Sequence, residues 1–286
     1  MWISITGALV NGLLNPLFIF GGGPLEGMGI EGSAWASLIA QVVMFGMAVH
    51  ILRTRTPFRL FPMSWSHPEL MGLWLLSGNL FARTIALNLC YYLGNRYATG
   101  YGEAFIAAHS IAMQVWLFSA FFIDGYAAAG SVLIGRLHGE ENWKELYGMG
   151  WQVVRKSVWI GTALSLVYMI GYSHIGALFT QDGTVLGLLG GVFWLVVITQ
   201  PINAVAFAFD GVYKGLGNGR LLRNVLLAST CCAFIPTIVA LDRSGFLLHA
   251  VWWAFLLWML VRGLLLALHF RTHYLPLARG ARAVQR

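Results

Sequence analysis

Four charged residues lie within or at the edge of long apolar stretches of the chain: Arg83, Asp124, Asp210 and Arg262. An ionisable side chain near the centre of a bilayer costs about 2.5 to 3.5 kcal/mol on insertion scales, so it persists mainly where it is paired or hydrated. A carboxylate beside an arginine in such a place can gain or lose a proton as its access to water changes. We therefore predict a proton- or ion-coupling site formed by Asp124, Asp210 and Arg83.

The two aspartates share a local motif, F-x-x-D-G, at residues 121–125 and 207–211. Both predicted helices run from the outer to the inner side, which places both carboxylates in the inner half of the membrane. Arg83 lies about 20 Å into its own helix, from where its side chain can reach towards either aspartate. In the alternative interpretation, the aspartates simply mark the inner membrane interface. For Arg262, pairing and snorkelling remain equally open.

A substrate cavity is the second predicted feature. Gln200, Asn203 and Asp210 fall within a narrow arc of one helix, and His109, Trp116 and Asp124 form a similar stripe on an earlier helix. Two such stripes that face each other would make an amphipathic cavity. The residues predicted to line it are Asn79, His109, Gln114, Trp116, Gln200 and Asn203. A lone histidine near a helix start is also typical of a hydrogen-bonded structural residue, which is the alternative for His109.

The composition indicates the elements that position these residues. Of 286 residues, 58% are hydrophobic and only 10% are charged, and the mean hydropathy is +0.71, too apolar for a water-soluble globule of this size. Uncharged runs of about 20 residues, the length that spans a bilayer as a helix, occur eight times. They cover residues 2–25, 32–52, 84–102 (extended to 70), 104–123, 157–181, 183–209, 224–241 and 244–261. We predict an all-α polytopic membrane protein with eight transmembrane helices.

The basic residues explain the net charge of +7 without nucleic acid as a partner. If the helices alternate in direction, one set of loops holds most of the lysines and arginines and the other set holds mainly carboxylates. The basic set comprises Arg53, Arg55, Arg59, Arg136, Lys144, Arg155, Lys156, Lys214, Arg220, Arg223, Arg271, Arg279, Arg282 and Arg286. By the positive-inside rule these loops and the C-terminus are cytoplasmic, in a plasma membrane.

Sequence motifs of soluble enzymes are either absent or lie in a structural setting that does not suit them. Residues 27–32 match G-x-G-x-x-G, but they join two membrane helices, whereas a dinucleotide site needs a preceding strand. H-E-x-x-H, C-x-x-C and P-loop motifs do not occur, and His138 with Glu140 and Glu141 is more typical of solvated charge than of a metal site. We predict neither an enzyme nor a metal site.

Four segments carry a resemblance to a known family. Residues 11–41 contain N-P-L-x-I-F-G, a Gly-Pro turn and G-x-x-G-[AS]-A-x-A, while residues 80–89, 107–127 and 206–224 read LFARTIALNL, AAHSIAMQVWLFSAFFIDGYA and AFAFDGVYKGLGNGRLLRN. The chain resembles the multidrug and toxic compound extrusion (MATE) transporters, in particular their DinF-like branch. His109 stands where asparagine is expected in that branch.

The resemblance implies a two-lobed, twelve-helix antiporter whose first four helices are absent from this chain. Residues 1–53 would be the last two helices of the N-lobe, 54–69 a cytoplasmic linker, 70–271 a six-helix C-lobe and 272–286 a basic tail. It implies export of cationic or amphiphilic compounds from a bacterial cell, driven by a proton or sodium gradient without a cofactor. The expected partners are membrane lipid, a small-molecule substrate and a separate chain that would supply the missing helices. The alternatives are a lipid-linked saccharide flippase of the same superfamily and a non-transporting truncated product.

Overall fold

The computed structural model describes residues 2–22, 26–55 and 70–280, most of which lie in ten α-helices. In chain order these are α1 (Trp2–Phe20), α2 (Ile30–Arg55), α3 (Leu70–Tyr101), α4 (Glu103–Gly139), α5 (Trp143–Ile170), α6 (Tyr172–Ile175), α7 (Gly183–Gly215), α8 (Gly219–Ser229), α9 (Ile235–Arg243) and α10 (Leu248–Ala278). The chain divides into two compact units, Met1–His67 and Pro68–Arg286.

Within the described ranges, eight helical segments are long and apolar enough to cross a membrane. Seven are single helices, and the eighth is the continuous segment Gly219–Arg243, which joins α8 to α9. Large apolar side chains cover the outside of these helices: Phe20 and Ile170 are each 82% exposed, and Val132 is 73% exposed. Such a surface is stable only in a nonpolar solvent. The predicted all-α membrane fold with eight spans is confirmed.

The first unit is an antiparallel pair of helices, α1 and α2, that approach closely at small residues. A Cβ atom added at Gly32 would lie 2.3 Å from the carbonyl oxygen of Phe18, and one added at Gly7 would meet the side chain of Met44. The Asn11 amide donates a hydrogen bond to Ser37 Oγ at 3.0 Å across the pair. Small residues and interhelical hydrogen bonds are the usual means of joining helices in lipid.

The second unit is built around α4 and α7, which run parallel and in close contact. A Cβ atom at Gly211 would lie 2.7 Å from the Ala127 carbonyl oxygen, and one at Gly215 would lie 2.3 Å from that of Ser131. These two glycines, one turn apart, therefore fix how far α7 is shifted along α4. Gly211 is the last residue of the second F-x-x-D-G motif, and Ala127 lies two residues after the first.

Asparagine and aspartate side chains start the helices of this unit. Asn142, Asp182 and Asn218 cap α5, α7 and α8, each by accepting a hydrogen bond from a backbone N–H in the first turn. A π-helical turn, Thr230–Phe234, joins α8 to α9, and Thr230 Oγ1 there accepts a hydrogen bond from Trp258 Nε1 on α10 at 3.2 Å. Aromatic side chains from α3, α4, α7 and α10 fill the core between these helices.

Several helix boundaries differ from the predicted ones. The last helix continues to Ala278, so residues 272–278 are not part of a tail. They stay helical because Tyr274 is only 6% exposed and packs against Phe270, with ring centroids 5.1 Å apart. Thr54 and Arg55 belong to α2, whereas the rest of the predicted linker, 56–69, lies outside the described residues, as do 23–25 of the glycine-rich turn and 281–286 of the tail.

Candidate ion-coupling site

The centre of the site is the carboxylate of Asp210, which two arginines hold. Its Oδ2 atom accepts hydrogen bonds from Nη2 of Arg83 and from Nη2 of Arg262. The side chains of Asp210 and Arg262 are 2% and 1% exposed, and that of Arg83 is 12% exposed. The three residues therefore form a buried ionic triad, which we call the Arg-Asp-Arg triad.

Three helices position the triad, one residue each: α3 carries Arg83, α7 carries Asp210 and α10 carries Arg262. Aromatic rings hold the Arg262 guanidinium in place. Its Cζ atom lies 5.6 Å from the ring centroid of Phe207 and 5.8 Å from that of Trp258. Each ring comes about one turn before a triad residue on the same helix, so both rings contact the cation from the side of the N-terminal ends of α7 and α10.

The triad carries two positive charges and one negative charge. Removing charges from water costs several kcal/mol for each ion, and the attraction between them offsets that cost only where the geometry is good. Asp210 Oδ1 and Arg83 Nε are buried without a hydrogen-bond partner among the described residues. Because one carboxylate serves two cations, the triad leaves one positive charge uncompensated.

Asp124 is the carboxylate that the triad does not use. It lies on α4 in a half-buried position and forms no ion pair or side-chain hydrogen bond with any residue that the structure describes. It is close enough to interact electrostatically with Lys214, and also with Asp210, Arg262 and Arg83. Asp124 thus stands near the excess positive charge of the triad without forming an ion pair with it.

The two predicted polar stripes pack against each other rather than enclosing an open cavity. His109 and Gln200 are fully buried, and Trp116 and Asn203 are each 1% exposed. The ring of Trp116 on α4 contacts Phe207 on α7, with centroids 5.9 Å apart in a T-shaped arrangement. Trp116 is large enough to fill the space that the sequence pattern left for a cavity. The role of these four residues in substrate binding stays a prediction.

We call the contact between the two stripes the seam. Many polar atoms along it have no hydrogen-bond partner within the described part of the chain. They are both ring nitrogens of His109, Nε1 of Trp116, Oε1 of Gln200 and both amide atoms of Asn203. The His109 ring stacks on Phe255, with centroids 6.3 Å apart, so aromatic packing holds it in place, and its role stays a prediction. Buried polar groups in proteins are generally hydrogen-bonded, to water where no protein atom serves. The seam therefore has unused hydrogen-bonding capacity.

The structure does not bring Gln114 and Asn79 to this seam. Gln114 lies on an exposed face of α4, roughly opposite the buried Trp116 two residues on. Asn79 lies near the start of α3, where its Oδ1 accepts a hydrogen bond of 2.6 Å from Nη1 of Arg223. The two residues were predicted to line the cavity from their residue type and approximate depth alone. Neither criterion says which way a side chain points around its helix.

A family comparison identifies the protein class. The family model described as MatE matches residues 80–239, which is more than half of the chain. The chain belongs to the MatE family. The matched range includes Arg83, Asp124 and Asp210, and the predicted MATE resemblance is confirmed.

Among curated relatives, Protein DETOXIFICATION 42 of Arabidopsis thaliana is 28% identical over 92% of this chain and 49% of its own length. DNA damage-inducible protein F of Escherichia coli is 24% identical over 95% of this chain and 59% of its own length. The Multidrug and toxin extrusion protein 1 of Homo sapiens is 24% identical over 76% of this chain. The chain thus spans about half the length of the curated relatives that it matches. MatE family members are transporters, so the prediction that this protein is not an enzyme is confirmed.

Solved structures show the same fold. An outward-facing structure of a multidrug resistance MATE family transporter superposes with a TM-score of 0.86 at 19% identity, covering 97% of this chain and 62% of that one. A Vibrio cholerae MATE transporter, VcmN, gives a TM-score of 0.82 at 17% identity. At these identities the likeness establishes the MatE fold, while the roles of individual residues rest on the geometry of this chain.

The sequence alone did not assign Arg262 to the site, although the sequence shows that Arg262 lies in the middle of an apolar helix. The sequence does not reveal its partner, because Asp210 is 52 residues away in the chain. Phe207 and Trp258, each three or four residues before a triad residue, were available signals: an aromatic ring one turn before a buried charge is a suitable place for a cation–π contact.

Proposed function

We propose that the chain belongs to a secondary active transporter that exports cationic or amphiphilic compounds in exchange for a proton or a sodium ion, and that Asp124 is the exchanging group. The observation that carries this proposal is the contrast between two carboxylates of the same motif. Asp210 is held by two arginines, whereas Asp124 has no ionic partner within the described residues and is half-buried. Asp124 is therefore the one that a cation can neutralise without breaking an ion pair.

The Arg-Asp-Arg triad would act as the fixed charge beside Asp124. With Asp124 ionised, the four side chains hold two positive and two negative charges. When a cation occupies Asp124, the triad's excess positive charge is no longer balanced, and the electrostatic energy of any cationic substrate nearby rises. Binding of the coupling ion and binding of a cationic compound would therefore oppose each other, which is the requirement for antiport.

We further propose that the protein lies in the bacterial plasma membrane with its C-terminus in the cytoplasm. Support comes from the positive-inside rule. The ends of α4, α7 and α10 and the start of α8 carry arginine and lysine, at Arg136, Lys214, Arg220, Arg271 and Arg279.

A saccharide flippase is less well supported. Such a protein would need a cavity with several free cationic groups to accept the phosphates of a lipid-linked sugar. In the described part of the second unit, Asp210 engages both Arg83 and Arg262, whose side chains point into the helical core, whereas Arg155, midway along α5, is exposed. The antiporter is therefore the better match to the charges.

Dye transport in vesicles tests the proposal. The full chain is reconstituted, the membrane potential is clamped, and movement of a cationic dye is followed under a pH gradient and, separately, under a sodium gradient. We expect transport under one of the two gradients, and we expect Asp124→Asn to reduce it at least about tenfold because an amide cannot exchange a cation.

Asp182→Asn is the matched control. It makes the same acid-to-amide change in an exposed N-cap, where asparagine caps a helix as well as aspartate does, so transport should be unchanged. Absence of dye transport by the unsubstituted chain under both gradients would contradict the transport proposal. Full gradient-driven transport by Asp124→Asn would contradict the role of Asp124 alone.

A further inference from the structure

A cavity of about 430 Å³ lies at the end of the six-helix unit where α3 begins. Its walls are the first turns of α3, the turn between α7 and α8, and the last turns of α4 and α10. The Arg-Asp-Arg triad does not line this cavity. It is therefore a separate feature that the transport proposal leaves unexplained.

One side of the cavity is polar and cationic. Arg220 lines it and forms no ion pair or side-chain hydrogen bond with any residue in the described ranges. His138 also lines it, and its Nδ1 atom is buried without a partner there. Among the described residues that line the cavity there is no aspartate or glutamate. An exposed arginine beside an imidazole ring, with no competing carboxylate among the described lining residues, favours an anionic ligand.

The start of α8 contributes to the same side. Asn218 and Gly219, at the N-terminus of this eleven-residue helix, line the cavity next to Arg220. Asn218 Oδ1 accepts a hydrogen bond from the backbone N–H of Leu221 at 3.1 Å, which fixes the first turn. The N-terminus of a helix carries a partial positive charge that adds to the attraction of the side chains.

The opposite side is apolar and opens to the outside of the helices. Leu75 lines it and is 48% exposed, and Gly72 one turn earlier leaves open space where a side chain would stand. These residues lie within about 10 Å of the start of a spanning helix, at the depth where phospholipid headgroups meet their acyl chains. The cavity thus joins a cationic wall to an apolar one.

We propose that this cavity binds a phosphate group, with Arg220 and His138 as donors to its oxygens. Two sources share this chemistry: the headgroup of an anionic phospholipid and free inorganic phosphate. The apolar wall favours the lipid, whose chains would lie over Gly72 and Leu75. The proposal concerns binding alone and does not depend on the coupling role of Asp124.

Binding to the purified full chain in a neutral detergent tests this site. Native mass spectrometry measures retention of phosphatidylglycerol against phosphatidylcholine, and displacement by inorganic phosphate is measured in parallel. We expect phosphatidylglycerol to be retained preferentially. Arg220→Gln should weaken it about tenfold, the effect of losing one charge-assisted hydrogen bond, and Gly72→Phe should weaken it by filling the cavity.

Each variant has a matched control on the same protein. Arg271→Gln removes an exposed positive charge that is outside the cavity lining, and Gly78→Phe adds the same ring elsewhere on α3, where a Cβ atom also meets nothing within 4 Å. Both controls should bind like the unsubstituted chain. Tight binding of inorganic phosphate that is lost in Arg220→Gln would support the site and identify free phosphate as its ligand. Equal retention of the two lipids without phosphate binding, or retention that neither Arg220→Gln nor Gly72→Phe changes, would overturn the proposal.

Discussion

At the scale of single residues, Asp210 differs from Asp124 through its neighbours rather than through its own motif. Both are followed by glycine and preceded by phenylalanine three residues earlier. Only Asp210 faces α3 and α10 at the points where these helices carry Arg83 and Arg262. The same F-x-x-D-G pattern therefore produces one carboxylate held in an ionic triad and one without an ion pair among the described residues.

Asp210→Asn should destabilise the second unit by about 3–5 kcal/mol, because it leaves two buried guanidinium groups without a counter-charge. Arg262→Met should cost less, since Asp210 and Arg83 would remain as a neutral pair. Detergent or chemical unfolding followed by circular dichroism measures both. Arg136→Gln serves as control: it breaks the exposed pair with Glu140 and should leave the unfolding curve unchanged. Equal stability of Asp210→Asn and the unsubstituted chain would show that the triad is not formed.

At the scale of elements, the contact between α4 and α7 depends on two glycines of α7. Gly211 and Gly215 bring the backbone of α7 against the carbonyl oxygens of Ala127 and Ser131. The close approach also fixes the distance between Asp124 and Asp210, because Gly211 directly follows the second aspartate. The helix contact and the spacing of the two carboxylates therefore have the same cause.

Gly215→Ala should destabilise the unit by about 1–3 kcal/mol, since the new methyl group would lie 2.3 Å from a backbone oxygen and the helices would have to separate. Gly187→Ala, in the same helix but with nothing within 4 Å of the added atom, should be neutral or stabilising by up to about 1 kcal/mol. Thermal unfolding of the two variants in detergent compares them. If both melt like the unsubstituted chain, the close contact is wrong.

The helices and their approximate limits could be predicted from hydropathy, because a spanning helix needs about 20 apolar residues whatever its neighbours are. The positions of Arg83 and Asp210 along their helices could be estimated in the same way, by counting residues from the predicted helix ends. Their pairing, and the engagement of Arg262, could not be predicted, because they depend on how α3, α7 and α10 are rotated about their axes. The contact between the two stripes could not be predicted for the same reason: Trp116 turns towards Phe207.

At the scale of the whole molecule, the arrangement of basic residues supports the proposed direction of the chain in the membrane. In the second unit, Lys214, Arg220 and Arg223 lie around the turn between α7 and α8, while Asp182 lies before α7 at the other end of that helix. A bilayer in a cell with a negative interior favours the end with the positive charges on the inner side.

Reporter fusions measure this direction. We expect a fluorescent protein fused after Arg286 to be fluorescent, and alkaline phosphatase fused after Asp182 to be active, because the first folds in the cytoplasm and the second only outside it. A phosphatase fusion after Gly217 should be inactive and provides the comparison within one helix. Activity at Gly217 with none at Asp182 would reverse the orientation.

The Arg-Asp-Arg triad and Asp124 also determine how the protein would respond to voltage. With both carboxylates ionised, the four charges cancel, so a movement of the second unit as a body within the membrane transfers no net charge from this cluster. Once Asp124 is neutralised, the same movement carries one positive charge, and a potential of 100 mV changes its energy by about 2.3 kcal/mol. If Asp124 is the exchanging group, the occupied form would then be driven inwards electrically in a cell with a negative interior, while the form without the coupling ion would carry only the charge of the exported compound.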